Sequence, residues 1–307
     1  MAAGAMIRAL LIAGPTASGK SAVALKLAKR FGATIVNADS MQVYRDLRVL
    51  AARPSEAEER EASHRLYGEI DGAENFSVGL WLARARAILA ENAGRPAPIL
   101  FVGGTGLYFR ALTLGLSEIP RVPEAVRAAL RAEAEGLAAP SLHARLAERD
   151  PLTAARLSPS DRQRVLRALE VLAATGRPLA EFQGAPAAPA LAAGKWAGLF
   201  LAPERAVLDA RIEARFAAML SEGALDEVAA LMRRGLDPAL PVMRAHGAPQ
   251  LMAHLRGEFT LDEAAGLAVR ETRRYAKRQF TWARRQMPDF AWVAPEAAEA
   301  AALRALG

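Results

Sequence analysis

The sequence predicts an α/β protein: a parallel sheet core flanked by helices, with an inserted all-helical domain. Three observations predict it. Up to about residue 110, short apolar runs alternate with helical periodicity, an order that builds parallel strands joined by helical crossovers. Residues 14–21, "GPTASGKS", lie between one such run and one such helix. From 123 to 182 the periodicity is helical almost throughout. The expected division is a core of 1–117 with 198–307 and a helical insertion of 118–197.

Taken in order, "IRALLIAG" is a first strand, 19–31 a helix, "TIVNADS" a second strand, "SVGLWLARARAILAENAGR" a second helix and "PILFVGG" a third strand. Each strand is a short apolar run ending in Gly or a small polar residue. In the insertion, "PEAVRAALRAEAEG", "SLHARLAERD" and "SPSDRQRVLRALEVLAATGRP" open on Ser or Pro, and the first and last close at Gly or Pro, as helices do. "QGAPAAPALAAG", 183–194, is a connector, "WAGLFLAPE" a further buried strand, and long helices are expected from there to the end.

Composition excludes several functions. With 52% hydrophobic and 24% charged residues the chain is an ordinary globular protein. No apolar run approaches the ~20 residues that span a bilayer, so no membrane association and a cytoplasmic location are expected. Zero cysteines remove disulfides, thiolate metal sites and thiol nucleophiles, and His64, His143, His246 and His254 lack ligand spacing. The net charge of +7 is local: residues 270–285 hold seven Arg or Lys against one Glu, leaving +1 for the rest.

Gly14, Gly19, Lys20 and Ser21 satisfy G-x-x-x-x-G-K-[ST] behind a strand and ahead of a helix, so the sheet is of the P-loop type. Gly14, Pro15, Thr16, Ala17, Ser18 and Gly19 would form a loop whose glycines let the backbone curl so that its N–H groups, which Pro15 lacks, surround a diphosphate, with Lys20 as a point charge and Ser21 as a Mg²⁺ ligand. Such a loop is also an ATP-binding and nucleotide-binding signature, and nothing in it touches a base. Asp39 closes the second strand at the same sheet edge. It reads as a general base or a water-mediated Mg²⁺ ligand, or else Asp39 or Ser40 caps a following short helix. "FVGGTGLYFRAL" ends a strand in Gly103 and Gly104 and presents Thr105 to that crevice, or is simply a turn and helix start.

Arg270, Arg273, Arg274, Lys277, Arg278, Arg284 and Arg285 form one helical stripe. Like charges at i,i+3 and i,i+4 repel by ~0.2–0.5 kcal/mol per pair, so a polyanionic partner would compensate; acidic neighbours elsewhere in the fold are the alternative. Tyr275, Phe280 and Trp282 read as core packing rather than as base-stacking groups. Arg162, Arg164 and Arg167 make a smaller basic set in the insertion.

Two functions fit these residues: a P-loop small-metabolite kinase with the insertion as lid, or an RNA-modifying transferase whose loop grips a diphosphate leaving group. "GPTASGKS", "NADSMQVYRDL", "FVGGTGLYFRAL", "SPSDRQRVLRALEV", "RIEARFAAML", "EGALDEV" and "TRRYAKRQFTW" together resemble the bacterial tRNA dimethylallyltransferases, in that family's order, over nearly the whole chain. The resemblance implies transfer of a dimethylallyl group from dimethylallyl diphosphate to N6 of the adenosine 3′-adjacent to the anticodon, position 37, in tRNAs that read codons beginning with U. It implies Mg²⁺, no ATP consumption, and the tRNA anticodon stem-loop as partner; a monomer is expected.

It further implies that Asp39 is the base, that Thr105 lies at the reacting centre, and that Arg127 contacts the substrate. Ser40, Met41 and Gln42 would flank the flipped base, Gln163, Arg164, Val165, Leu166 and Arg167 would form a tRNA-contacting segment, and Arg273, Arg274, Lys277 and Arg278 would follow phosphates. The chain departs from the family pattern at "AARP" with Arg53, at "SHRLYGEID" with one histidine, His64, at "RFAAM" with Ala217, and most widely at "MRAHGAPQL", 243–251. No role is assigned to Arg244 or His246.

Overall fold

The computed structural model describes residues 7–184 and 186–307. These form two compact units, one made of residues up to Thr113 together with Ala190–Gly307, the other of Leu114–Pro189. Among the described residues no helix is long and apolar enough to cross a membrane.

The first unit contains, in chain order, β1 (Ala9–Ala13), α1 (Lys20–Phe31), β2 (Thr34–Asn37), α2 (Glu56–Glu61), β3 (His64–Arg65), α3 (Val78–Glu91), β4 (Ile99–Gly103) and α4 (Gly106–Leu114), the last reaching one residue into the second unit. The second unit holds α5 (Glu124–Glu133), α6 (Ala139–Arg149), α7 (Pro151–Ala154), α8 (Arg162–Thr175) and α9 (Leu179–Phe182). The chain then returns to the first unit with β5 (Trp196–Leu201), α10 (Arg205–Ser221), α11 (Ala224–Arg233), α12 (Ala248–Leu255), α13 (Leu261–Gln286), β6 (Phe290–Val293) and α14 (Ala298–Leu306).

The six strands pair in the order β3-β2-β4-β1-β5-β6, all parallel. Every residue of β1 and β4 is buried, as expected where helices cover both faces of a parallel sheet. Leu10, Ile12, Ile35, Leu100, Val102, Leu199 and Leu201 pack with Leu27 of α1 and Ala298 and Ala302 of α14 into one core. The sequence reading of helix to the chain end omits β6: "FAWV" lacks alternation, yet Gly198 to Leu201 of β5 pair with it in register. The close approach there needs Gly198, whose added Cβ would stand 2.8 Å from the Phe290 ring.

Two devices fix the sheet edge that carries the loops. Fully buried Trp81 stacks on Tyr108 at 4.2 Å and donates from Nε1 to the Asn37 carbonyl at 2.8 Å. The side chain of Asn37, also fully buried, accepts from Asp39 N–H at 2.8 Å and donates to the carbonyls of Asp39 and Leu66 at 2.9 and 3.0 Å. The chain leaving β2 therefore has one path, and Asp39 sits at its first bend.

The second unit has its own core, with Leu142, Leu146, Val165, Leu169 and Val171 at its centre. Thr260 and Glu263 form a capping box that starts α13, the longest helix described at 26 residues.

Candidate active site

Gly14–Gly19 join β1 to α1 with two left-handed residues, Ala17 at φ 61° and Gly19 at φ 90°. Left-handed geometry at the non-glycine Ala17 stores strain of order 1 kcal/mol and turns successive N–H groups inward. A Cβ at Gly14 would approach the Leu201 carbonyl oxygen and Ser18 Oγ to 2.9 Å. The first N–H groups of α1 have no intrahelical acceptor, no side chain caps them, and the first turn carries no acid. Ser18 Oγ is buried without a partner among the described residues, and Ser21 is exposed. Lys20 Nζ donates to the Pro15 carbonyl at 2.7 Å. Burial pushes its ammonium down to about 8, with the Asp39 carboxylate opposing and Arg215 adding to the shift. An anion in this loop thus meets a partly buried cation.

The short-helix alternative for Asp39 is not what forms: residues 40–43 make turns and Tyr44 a single bridge. Asp39 Oδ1 accepts from Met41 N–H at 2.9 Å, while Oδ2 makes no hydrogen bond among the described residues and lies toward Gly104. Thr105 Oγ1 accepts from Ser40 N–H at 3.0 Å and Thr105 N–H donates to the Ala38 carbonyl at 3.2 Å, so the β4 loop is tied to the Asp39 turn. A Cβ at Gly103 would fall 2.0 Å from the Ala38 carbonyl oxygen, which explains the glycine. Gln42 spends its amide donors on the Ala51 and Ala52 carbonyls at 3.0 and 2.8 Å and so closes the loop that follows the turn.

Three residues that sequence reasoning missed complete the arrangement. Gln279 of α13 accepts from Thr16 N–H at 3.2 Å and donates to the Gly104 carbonyl at 2.9 Å, bridging both glycine loops; its only sequence signal was a neutral side chain in a cationic run. Burial lowers the pKa of Arg215 on α10, with the Asp39 carboxylate opposing the shift, and Arg215 makes no hydrogen bond or ion pair among the described residues. Nothing in the Arg- and Glu-rich helix text singled it out. His246, in the divergent segment, packs its ring on Tyr275 at 4.1 Å, and burial lowers its pKa. Burial pushes Tyr67, Tyr108 and Tyr275 above the usual phenol range, and the Asp39 carboxylate adds to that push.

Beside Gly14, Gly104 and Thr105 opens a cavity of about 190 Å³, walled by Tyr275, Arg278, Gln279, Trp282 and Ala283 of α13 and by Met287 just past its end. Phe109 and Phe200 supply the remaining bulk. Trp282 accordingly lines a cavity and packs on Gly106, where a Cβ would stand 2.1 Å from its ring, whereas Phe280 packs edge-on against Phe200 at 5.5 Å.

The basic stripe splits. Arg273 pairs with Glu213 at 2.8 Å and Asp209 at 3.8 Å, Arg278 lies over the Tyr275 ring and Arg284 over Trp292. Arg270, Arg274, Lys277 and Arg285 are exposed and make no ion pair among the described residues. In the second unit Arg127 pairs with Glu124 at 2.7 Å, and buried Glu170 gathers Arg127, Arg131 and Arg167 at 3.6–3.7 Å. Gln163 and Arg164 are exposed, Leu166 is half-buried, and Val165 is fully buried in that unit's core.

The chain matches the IPP transferase family over residues 42–286 and the isopentenyl transferase family over 7–74. It is 63% identical to a tRNA dimethylallyltransferase of Methylocella silvestris, over 98% of this chain and 99% of that protein. The full-length tRNA isopentenylpyrophosphate transferase of Bacillus halodurans superposes with a TM-score of 0.67 at 32% identity, covering 97% of both chains. A eukaryotic dimethylallyltransferase acting on tRNA shares the fold, with a TM-score of 0.77 at 23% identity over 94% of this chain and 74% of that one. A family model matching residues 42–286 and a relative 63% identical over nearly the whole of both chains carry the conclusion: the chain belongs to the IPP transferase family, the tRNA dimethylallyltransferases.

Proposed function

We propose that the protein transfers a dimethylallyl group from dimethylallyl diphosphate to N6 of adenosine 37 of tRNA, acting as a monomer in the cytoplasm. The observation that carries this reading is the apolar cavity of about 190 Å³ beside both the phosphate loop and Thr105. A metabolite kinase has no use for an oily pocket there, whereas a five-carbon chain buried in it gains up to ~0.8 kcal/mol per carbon.

The donor's diphosphate is bound by the loop Gly14–Ser21, through the N–H groups its fold leaves free at the start of α1, by Lys20 and by Arg215, whose guanidinium, without a partner among the described residues, supports the assignment. Ser18 Oγ–H, buried and without a partner among the described residues, would donate to a phosphate oxygen. Mg²⁺ fits this donor set: the Ser21 hydroxyl and the diphosphate are hard oxygen ligands, and Mg²⁺ commonly takes only one or two protein ligands beside phosphates and water. When bound it neutralises charge on the diphosphate.

The exocyclic amine of adenine is a weak nucleophile because its lone pair is delocalised into the ring. As the C1–O bond of the donor breaks and the N6–C1 bond forms, diphosphate departs with the bonding pair and N6 must lose a proton. Asp39 takes that proton on Oδ2, since Oδ1 is engaged by Met41 N–H. Thr105 holds the Asp39 turn in register through Ser40. Lys20 and Arg215 meet the charge that grows on the leaving oxygen. Ser40, Met41 and Gln42 flank the flipped base. Arg274, Lys277 and Arg278 follow the tRNA backbone, while Arg273 holds α13 to α10. In the helical unit Gln163, Arg164, Arg167 and Arg127 reach tRNA, with Val165 and Leu166 shaping the helix that presents them.

The test is direct. Incubation with Mg²⁺, unmodified tRNA and labelled dimethylallyl diphosphate, followed by digestion to nucleosides, yields prenylated adenosine; label moving from the γ-phosphate of ATP to a metabolite instead overturns the reading.

A further inference from the structure

The four histidines divide. His64, His143 and His254 each set a ring nitrogen against a backbone carbonyl, of Ala62, Ala154 and Phe259 respectively, at 2.9–3.0 Å. His246, half-buried, packs its ring on Tyr275 at 4.1 Å and has neither nitrogen engaged among the described residues. Two sets of contacts place this ring beside the Asp39 turn. On one side the left-handed Gly247, at φ 92°, brings the backbone so close to its neighbours that an added Cβ would stand 2.9 Å from the Phe216 ring and 3.1 Å from Leu50. His246 is thereby pressed toward α10, where Phe216 follows Arg215, and toward the loop that leaves the Asp39 turn. On the other side Tyr275 lies one helical turn before Gln279 on α13 and lines the same crevice as Gly104 and Thr105. At Gly104 the two sides meet, since the place of a Cβ there is crowded by Gln279 Nε2 and lies 3.3 Å from Asp39 Oδ2. Burial lowers the pKa of the His246 ring, with Asp39 opposing, Arg278 adding to the shift and Glu271 opposing. Near neutral pH the imidazole is therefore uncharged, with one N–H donor and one acceptor.

We infer that His246 orients the target base, its N–H donating a hydrogen bond to N1 or N7, the ring nitrogens on either side of the amine carbon, while Tyr275 braces the imidazole. This rests on the reading of Asp39 as the base for N6. The position of the amine dictates the contact. N6 must face Asp39 Oδ2 to lose its proton, so a group beside the Asp39 turn meets the edge of the purine next to N6, and the acceptors on that edge are N1 and N7. The segment that carries His246, 243–251, is where the chain departs most widely from the family pattern, and the inference gives that departure a function: a polar contact to the base from a residue of this chain's own.

The experiment gives the full-length protein anticodon stem-loops with adenosine, 1-deazaadenosine or 7-deazaadenosine at the target position, and measures single-turnover transfer at saturating dimethylallyl diphosphate. Pyrophosphate inhibition and the melting temperature are followed alongside. His246→Phe keeps a ring against Tyr275 and removes both nitrogens, with His246→Leu in its place should that variant melt lower. Transfer to adenosine falls roughly tenfold with pyrophosphate inhibition unchanged, and His246→Gln, which restores an N–H, regains part of the loss. One of the two deaza bases costs the wild type roughly tenfold more than it costs His246→Phe, which identifies the nitrogen; effects of the altered ring on the amine itself appear in both proteins and cancel. If the variant transfers to adenosine as fast as the wild type, or if each deaza base costs both proteins the same, the inference is overturned. If instead Asp39→Asn matches the wild type on adenosine, the reading of Asp39 as the base falls and this inference falls with it.

Discussion

The charged groups around the glycine loop and the arginines named in the helical unit differ in how they are paired. In the α/β unit Asp39 keeps one carboxylate oxygen unengaged, Arg215 has no ion-pair partner among the described residues, and Arg274 and Lys277 stand exposed on α13. In the helical unit the arginines named from sequence each have a protein partner: Arg127 and Arg167 have Glu170, Arg164, still mostly exposed, has Asp161 at 3.4 Å, and Arg162 has the carbonyls of Ala134 and Leu137. The lesson is that charge counted along a sequence differs from charge free to act. Free charge costs stability that a bound anion offsets, whereas charge already paired also braces the scaffold.

That contrast can be broken at graded points. The largest effect is expected at Asp39. Asp39→Asn keeps the acceptor for Met41 N–H but removes the base, so single-turnover transfer falls by ~10² or more while tRNA affinity in a filter-binding titration stays level. Lys20→Met comes next: without a charge-assisted hydrogen bond of ~1.5–3 kcal/mol, pyrophosphate inhibition weakens by roughly ten- to a hundredfold, with the melting temperature little changed.

Protonation gives a sharper form of the same test. The free-enzyme ammonium of Lys20 is pushed down to about 8, so it is charged below that pH and neutral above it. The profile of kcat/KM for the donor, which reports free-enzyme groups, should therefore fall as pH rises through about 8. Lys20→Arg, if active, should lose that limb.

In the helical unit the sign of the outcome changes. Glu170→Gln leaves Arg127, Arg131 and Arg167 facing one another, and should lower stability by about 1–3 kcal/mol in chemical denaturation, reduced from a fully buried case because the arginines are partly exposed. Donor affinity should not move. The smallest effect is on salt dependence: Arg274→Gln with Lys277→Gln should lessen the slope of log affinity for tRNA against log salt by roughly 0.7–0.9 for each phosphate left without its cation. Arg273→Gln, already paired with Glu213, should leave the slope nearly as it is.

What could be read from the sequence follows the range of the interactions involved. The phosphate loop, the central parallel strands and Asp39 at a strand end all announce themselves within a few residues, because Gly at left-handed positions and apolar runs are local requirements. β3, only two residues long, and β6, with two exposed members, are defined by neighbours rather than by pattern. Gln279 is illegible for the same reason: its partners Thr16 and Gly104 lie 263 and 175 residues away. The stripe on α13 was visible as charge, but only the fold separates Arg273, held by α10, from Arg274 and Lys277. Arg215 illustrates the reverse limit, since its importance is set by the absence of a partner, which no sequence records.

The central claim is that Asp39 removes the N6 proton while the loop around Lys20 holds the departing diphosphate. Its most direct measurement is rapid-quench single-turnover transfer of labelled dimethylallyl to unmodified tRNA by wild type, Asp39→Asn and Lys20→Met. The account predicts prenylated adenosine from wild type, a rate constant at least ~10² lower for Asp39→Asn at saturating donor, and a loss for Lys20→Met that includes weaker donor binding. Equal rate constants for wild type and Asp39→Asn, or unaltered donor binding in Lys20→Met, would contradict it.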